Sequence, residues 1–102
     1  MSAASDLAAA IAGNARVLIL KELYRQTDGR LSSVMLQQVL DVYGIRRDRD
    51  WVNTQLRKLE ALGAVSLTTV GPTLVAHIER AGRDHVEERA VIEGVSRPAD
   101  VE

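Results

Sequence analysis

The sequence has no cysteine. Disulfides and thiolate metal sites are therefore excluded, and cysteine usage says nothing about compartment. Only two histidines occur, His77 and His85, eight residues apart and without a His-x-x-x-His pair, so a zinc site would lack its usual ligands. There is no glycine-rich phosphate loop, and Ser32, Ser33 and Ser66 have no histidine base beside them in the sequence. The paired acids Glu87-Glu88 fall on a stretch expected to be an exposed helix. No catalytic constellation is expected, and no metal or cofactor. Long apolar runs are missing as well: none approaches the roughly 20 residues a membrane span needs. The alanine-rich start, Ala8 to Ala12, has no basic segment before it and meets Asn14 and Arg16 too early for a signal peptide. These absences predict a soluble, cytoplasmic protein without membrane contact. A large charge of one sign is also lacking, since 13 basic residues face 14 acidic ones for a formal net charge of −1.

What is present fits one modest globular domain: 102 residues, 46% hydrophobic and 26% charged. Apolar spacing predicts a first helix capped by Ser5 and running through Leu7, Ile11, Leu18 and Leu23 until Asp28-Gly29 stops it. Gly13 costs about 1 kcal/mol relative to alanine in a helix interior, so a break at Gly13-Asn14 would set the first residues apart as an arm; the continuous helix is preferred. A second helix opens at Ser32 or Ser33, with Met35, Leu36, Val39, Leu40 and Tyr43 as its stripe, and ends at Gly44. Asp48 caps a third helix over 49–62, in which Val52, Leu56 and Leu59 form the inner face, bordered by Leu62. From Ala64 the period turns from helical to alternating. Val65, Leu67 and Thr69 alternate with Ser66 and Thr68, and Gly71-Pro72 turns the chain into Leu74, Ala76 and Ile78, which predicts a hairpin. A last helix spans about Arg80 to Arg89, and "VIEGVSRPADVE" is expected to be irregular, with Pro98 barring helix.

The stretch "RRDRDWVNTQLRKLEALGAV" holds the chemistry. A helical wheel with Val52 inward puts Asp50, Asn53, Thr54, Arg57, Lys58 and Ala61 outside. Trp51 lies at the edge of the buried stripe, where packing against the domain is its expected role. Charge is segregated along the chain. Residues 46–78 set Arg46, Arg47, Arg49, Arg57 and Lys58 against Asp48, Asp50 and Glu60, a net of +2; residues 79–102 carry a net of −3; and the first 45 balance. The positive charge thus gathers around the third helix, although "TTVGPT" at the hairpin tip has no basic residue.

The residues "VNTQLRKLEALGAVSLTTV" and "LVAHIERAGRD" resemble the winged helix-turn-helix superfamily: Leu56, Leu59, Gly63, Val65, Ile78 and Gly82 occupy the places where its third helix, wing strands and final helix start have leucine, glycine and apolar residues. The likeness covers about residues 14–89. "LQQVLDVYGIRRDRDWVNTQLRKLEALGAV" with "AVIEGVSRP" is further similar to the small winged-helix proteins of Mu-like prophages. The resemblance implies an α+β, mainly helical fold with a three-helix core, a two-stranded wing and a C-terminal helix. It divides the chain into an N-terminal helical arm (1–13), the winged helix-turn-helix domain (14–89) and an irregular tail (90–102).

It also implies double-stranded DNA as partner, with the third helix in the major groove and a role in transcriptional control or another phage DNA transaction. Asn53 and Arg57 would then touch bases, Thr54 and Lys58 phosphate or base edges, and Arg46, Arg47 and Arg49 phosphates beside the helix N-terminus. Plain surface roles for Asn53 and Thr54, and a solvated connection for Arg46 to Arg49, are the alternatives. The small side chains of the arm allow close helix approach. Leu7 and Ile11 would pack either on a second copy, giving a homodimer, or on the last helix of the same chain. A different class of function is a winged-helix adaptor for a phage protein partner, suggested by the acidic last quarter with its apolar "AVIEGV".

Overall fold

The computed structural model describes residues 2–101; Met1 and Glu102, the outermost residues of the expected arm and tail, lie outside it. The element order is α1 (Ala3–Arg25), β1 (Arg30–Ser32), α2 (Ser33–Val42), α3 (Arg49–Ala61), β2 (Val65–Val70), β3 (Thr73–Ile78), α4 (Arg80–Val86) and a 3₁₀ turn, η1 (Pro98–Asp100). Among the described residues the fold is α+β and mainly helical, with four α-helices and a small antiparallel sheet.

α1 is the axis of the domain. Its second half buries Ala15, Val17, Leu18, Ile19, Leu20 and Leu23, and α2, α3, α4 and β3 all pack on it. Each leucine or isoleucine fully withdrawn from water contributes about 1.5–3 kcal/mol. The first half is different: residues 3–10 are exposed, and Leu7 is 61% exposed, so it does not pack on α4. The helix is continuous through Gly13, and its cap is Ser2, whose Oγ accepts from the Ser5 backbone N–H at 3.1 Å, rather than Ser5. An 18-residue window within the 23-residue α1 reaches a mean hydropathy of 1.4, so the helix has the length and composition to cross a membrane even though Asp6, Asn14 and Arg16 interrupt its apolar run. Alanines raise that average; Leu18, Ile19 and Leu20 of the window lie in the domain core, whereas Leu7 is exposed.

The cap residues of α2 and α3 follow the sequence. Ser32 Oγ accepts from Met35 N–H and Asp48 Oδ1 from Trp51 N–H, at 3.2 and 2.8 Å, each satisfying a first-turn amide that has no partner inside its helix. The stripe of α2 is narrower than expected, since Leu36 and Leu40 are buried while Met35 and Tyr43 are largely exposed. The hairpin forms with Gly71 at φ +59 as the first of two turn residues; the ring of Pro72 fixes a negative φ at the second, the pattern of a type II′ turn.

Three further findings depart from the sequence reading. The sheet has three strands rather than two, in the order β1-β3-β2: Arg30, Leu31 and Ser32 pair with His77, Ala76 and Val75. Three residues are too few to show alternation, so β1 has no signature in the sequence. α4 stops at Val86 rather than Arg89, because Glu88 takes a left-handed φ of 61° and turns the chain back. Finally, the tail is irregular but not loose. Val95 belongs to the core, Ile92 and Val101 pack against it, and Pro98 opens η1 at a first-turn position where its missing N–H costs nothing.

Gly82 fixes how closely α4 approaches. A methyl group there would stand 2.5 Å from the Ala64 carbonyl oxygen and 2.9 Å from Ile78 Cγ1. Gly82→Ala is expected to lower stability by about 1–3 kcal/mol in urea unfolding, through overpacking that the backbone must relieve. Unchanged stability would show that α4 can move away freely.

Candidate nucleic-acid interface

α3 is held from behind by apolar burial. Val52, Leu56 and Leu59 are fully buried, and Gln55 joins them on the inner stripe, its Oε1 accepting from Arg16 Nε at 2.9 Å. Burial holds the Arg16 guanidinium below the ordinary arginine range. Gln55 was not singled out in the sequence, although 52, 55, 56 and 59 follow the spacing of one helix face. The opposite side is open: Asp50, Thr54, Arg57, Lys58 and Ala61 are exposed.

The seven candidate residues form one contiguous region with unequal freedom. Arg57 and Lys58 are exposed, and among the described residues neither makes a hydrogen bond or an ion pair. Arg46 is exposed in the turn before α3. Arg47 lays its guanidinium over the Trp51 ring, 5.4 Å from the centroid, and its Nη1 donates to the Arg46 carbonyl at 3.2 Å. Trp51 is half-buried against the core, so its ring is a shelf for Arg47 as well as a packing group. Arg49 is half-buried, its Nε donating to Gln37 Oε1 at 3.0 Å, while Gln37 Nε2 donates to the Arg47 carbonyl at 2.9 Å. One glutamine of α2 thus clamps the turn that carries the arginines. Nothing in the sequence marks Gln37 for this, because the contact spans ten residues and depends on how α2 and α3 pack.

Two candidates are less available than a helical wheel suggests. Asn53 is half-buried, and its Oδ1 is covered and has no hydrogen-bond partner among the described residues. It flanks the ridge rather than cresting it, with its amide oxygen turned inward. Thr54 Oγ1 donates to the Asp50 carbonyl at 2.9 Å, which commits its proton to the helix and leaves only its lone pairs for a ligand. The α3 N-terminus is likewise occupied by the Asp48 carboxylate, so an anion there would be held by arginine side chains more than by backbone amides.

The outer face of the sheet gathers a second polar group. Arg30, His77 and Ser66 stand in one cross-strand row. Ser66 Oγ donates to Glu79 Oε2 at 2.7 Å, and His77 Nδ1 lies 2.8 Å from the same oxygen. Register brings His77 opposite Ser66, a neighbour the linear sequence conceals, but both side chains engage the carboxylate rather than each other. That is not the geometry of an activated nucleophile, which needs serine hydrogen-bonded to the imidazole.

Comparison with protein-family models, curated proteins and solved structures finds no match to this chain.

The hydrogen bonds from His77 and then Ser66 hold the Glu79 carboxyl below the usual carboxylate range. A carboxylate with a lowered folded-state pKa contributes stability above its unfolded pKa, and that contribution is lost as pH falls through the folded value. Side-chain carbon NMR is expected to find Glu79 titrating lower than the other glutamates, and His77→Ala or Ser66→Ala to raise it. A Glu79 midpoint unmoved by both substitutions would contradict the assigned cause.

Proposed function

We propose that this chain is a winged helix-turn-helix protein that binds double-stranded DNA through the outward side of α3. In this reading it acts as a transcriptional regulator or accessory factor in a phage DNA transaction. The observation that carries the proposal is the pairing of an open, polar α3 face with five basic side chains, Arg46, Arg47, Arg49, Arg57 and Lys58, none in an ion pair among the described residues. The order of elements supports it, with β2 and β3 as the wing and β1 joining the wing to the helices.

Arg57 sits midway along the ridge, where a guanidinium reaches guanine O6 and N7, and Lys58 beside it reaches phosphate or a base edge. Arg46 and Arg47 contact phosphates at the helix start. Arg49 joins them if its bond to Gln37 is exchanged. The wing tip adds no charge: Val70 is 60% exposed there, beside Gly71, Pro72 and Thr73. Phosphate contacts per copy are thus limited to these five side chains. Asp50, exposed on the first turn of the ridge, repels phosphate and restricts which groove positions fit. One copy therefore binds weakly, and two copies on neighbouring half-sites bind better.

The adaptor reading has less support. Of "AVIEGV", Val95 is in the core and Ile92 packs against it, leaving Val91 as the one large apolar side chain exposed there.

Fluorescence anisotropy with mixed-sequence duplex tests the proposal. Affinity should fall steeply with salt, with a log–log slope no steeper than about −4.5 per copy, the limit for five phosphate contacts. Arg57→Ala should weaken binding to a preferred sequence by about 1–3 kcal/mol while leaving the fold intact. No binding at low salt would refute the proposal. Equal binding by Arg57→Ala would remove the base-reading role.

A further inference from the structure

After α4 the chain turns at Glu88 and runs back as a strap, residues 91–101, along α1. Its seat is Gly13, whose carbonyl accepts from Ser96 N–H at 3.2 Å; a methyl group at Gly13 would stand 3.0 Å from Ser96 Oγ. Ser96 Oγ donates to Asn14 Oδ1 at 2.7 Å, Arg16 Nη1 to the Gly94 carbonyl at 2.7 Å, and Lys21 Nζ to the carbonyls of Pro98 and Val101.

The remaining ties run to one side chain. His85 on α4 is 1% exposed. Its Nδ1 lies 3.0 Å from the backbone nitrogen of Ile92, and its Nε2 lies 2.9 Å from the Ser96 carbonyl. The partners dictate the protonation state. An amide N–H only donates, so Nδ1 must carry the lone pair; a carbonyl only accepts, so Nε2 must carry the proton. This arrangement exists for the neutral ring alone. A second proton on Nδ1 would face the Ile92 N–H, donor against donor, and would put a charge in a buried position.

We propose that His85 is a proton-operated latch: protonation of its imidazole releases the strap, Val95 with it, from α4 and α1 while the core among α1, α2 and α3 stays folded. The inference is independent of what α3 binds. The charged groups around the ring do not replace the lost bonds. Glu88 and Arg97 line the same hollow with opposite signs, Asp84 is its neighbour on α4, and Arg16 and Lys21 of α1 are engaged with strap carbonyls. On the strap, Glu93 lies away from the ring, in a shallow hollow shared with Arg16, Lys58, Ala61 and Leu62. Release therefore has a consequence at α3: it draws an acidic side chain away from Lys58 and frees Arg16, which also holds Gln55.

The sign follows from proton uptake. A proton on Nδ1 and the hydrogen bond that Nδ1 accepts from Ile92 N–H are mutually exclusive, so acid weakens the clasp.

Amide hydrogen exchange on the full chain, corrected for intrinsic rates, reads the strap directly. Between about pH 7.5 and 5.5, protection at Ile92 and Ser96 should fall about tenfold while Leu56 and Leu59 hold. His77→Gln should keep this response. His85→Gln should show weak strap protection at both pH values, with the pH response gone. Protection at Ile92 and Ser96 that persists at the lower pH would overturn the proposal. So would an equal loss in the core amides, or a His85→Gln protein that keeps the parent's pH response. If His85→Gln fails to fold, imidazole nitrogen NMR of the parent decides: strap release must coincide with protonation of His85, and release at a different pH refutes the latch.

Discussion

The structure depends on the apolar half of α1. Leu18, Ile19, Leu20 and Leu23 lie wholly or almost wholly inside, and the other helices and β3 gather around them. Because α1, α2 and β2 together cover the inner stripe of α3, that helix has no apolar side left to hide, and its polar side is turned to water. The basic residues are exposed through the same constraint that places Val52, Leu56 and Leu59 in the core. Removing one of those leucines would cost about 2–5 kcal/mol and loosen the ridge along with the core.

Polar contacts then set the details that burial leaves open. Gln37 fixes the turn before α3, Gln55 ties α3 to Arg16, and Arg16 ties both to the strap. These are few bonds, each worth about 0.5–1.5 kcal/mol net, with those to charged groups worth more. Their importance is positional: they decide which of the arginines near α3 are free. Arg57 and Lys58 are the least encumbered, Arg47 rests on Trp51, and Arg49 is shared with α2. A near-neutral chain can present a basic surface in this way, because its acids are concentrated after residue 78 and its bases near α3.

Much of this was legible in the residues. The periodicity of α2 and α3, their Ser32 and Asp48 caps and the Gly71-Pro72 hairpin depend on contacts within a few residues, which local spacing encodes. β1 is three residues long and exists because β3 is beside it, so no local pattern announces it. The end of α4 depends on a left-handed glutamate where the sequence offers no glycine. Gly13 suggested a weak point in α1, whereas its missing side chain makes room for a strap some eighty residues away. For the candidate site, a helical wheel located the ridge and its exposed members, but it could not show that Asn53 is partly covered or that Thr54 bonds its own helix. Those facts depend on rotamers and neighbours rather than on angular position.

The outward side of α3, together with the turn before it, is the surface proposed to meet DNA. Backbone amide NMR during titration with a short duplex tests it most directly. Chemical shift changes should concentrate at Arg46 to Lys58, with smaller changes at the hairpin tip. Changes concentrated on the exposed half of α1, on the strap or on the outer sheet face would contradict it, as would a spectrum left unchanged by DNA.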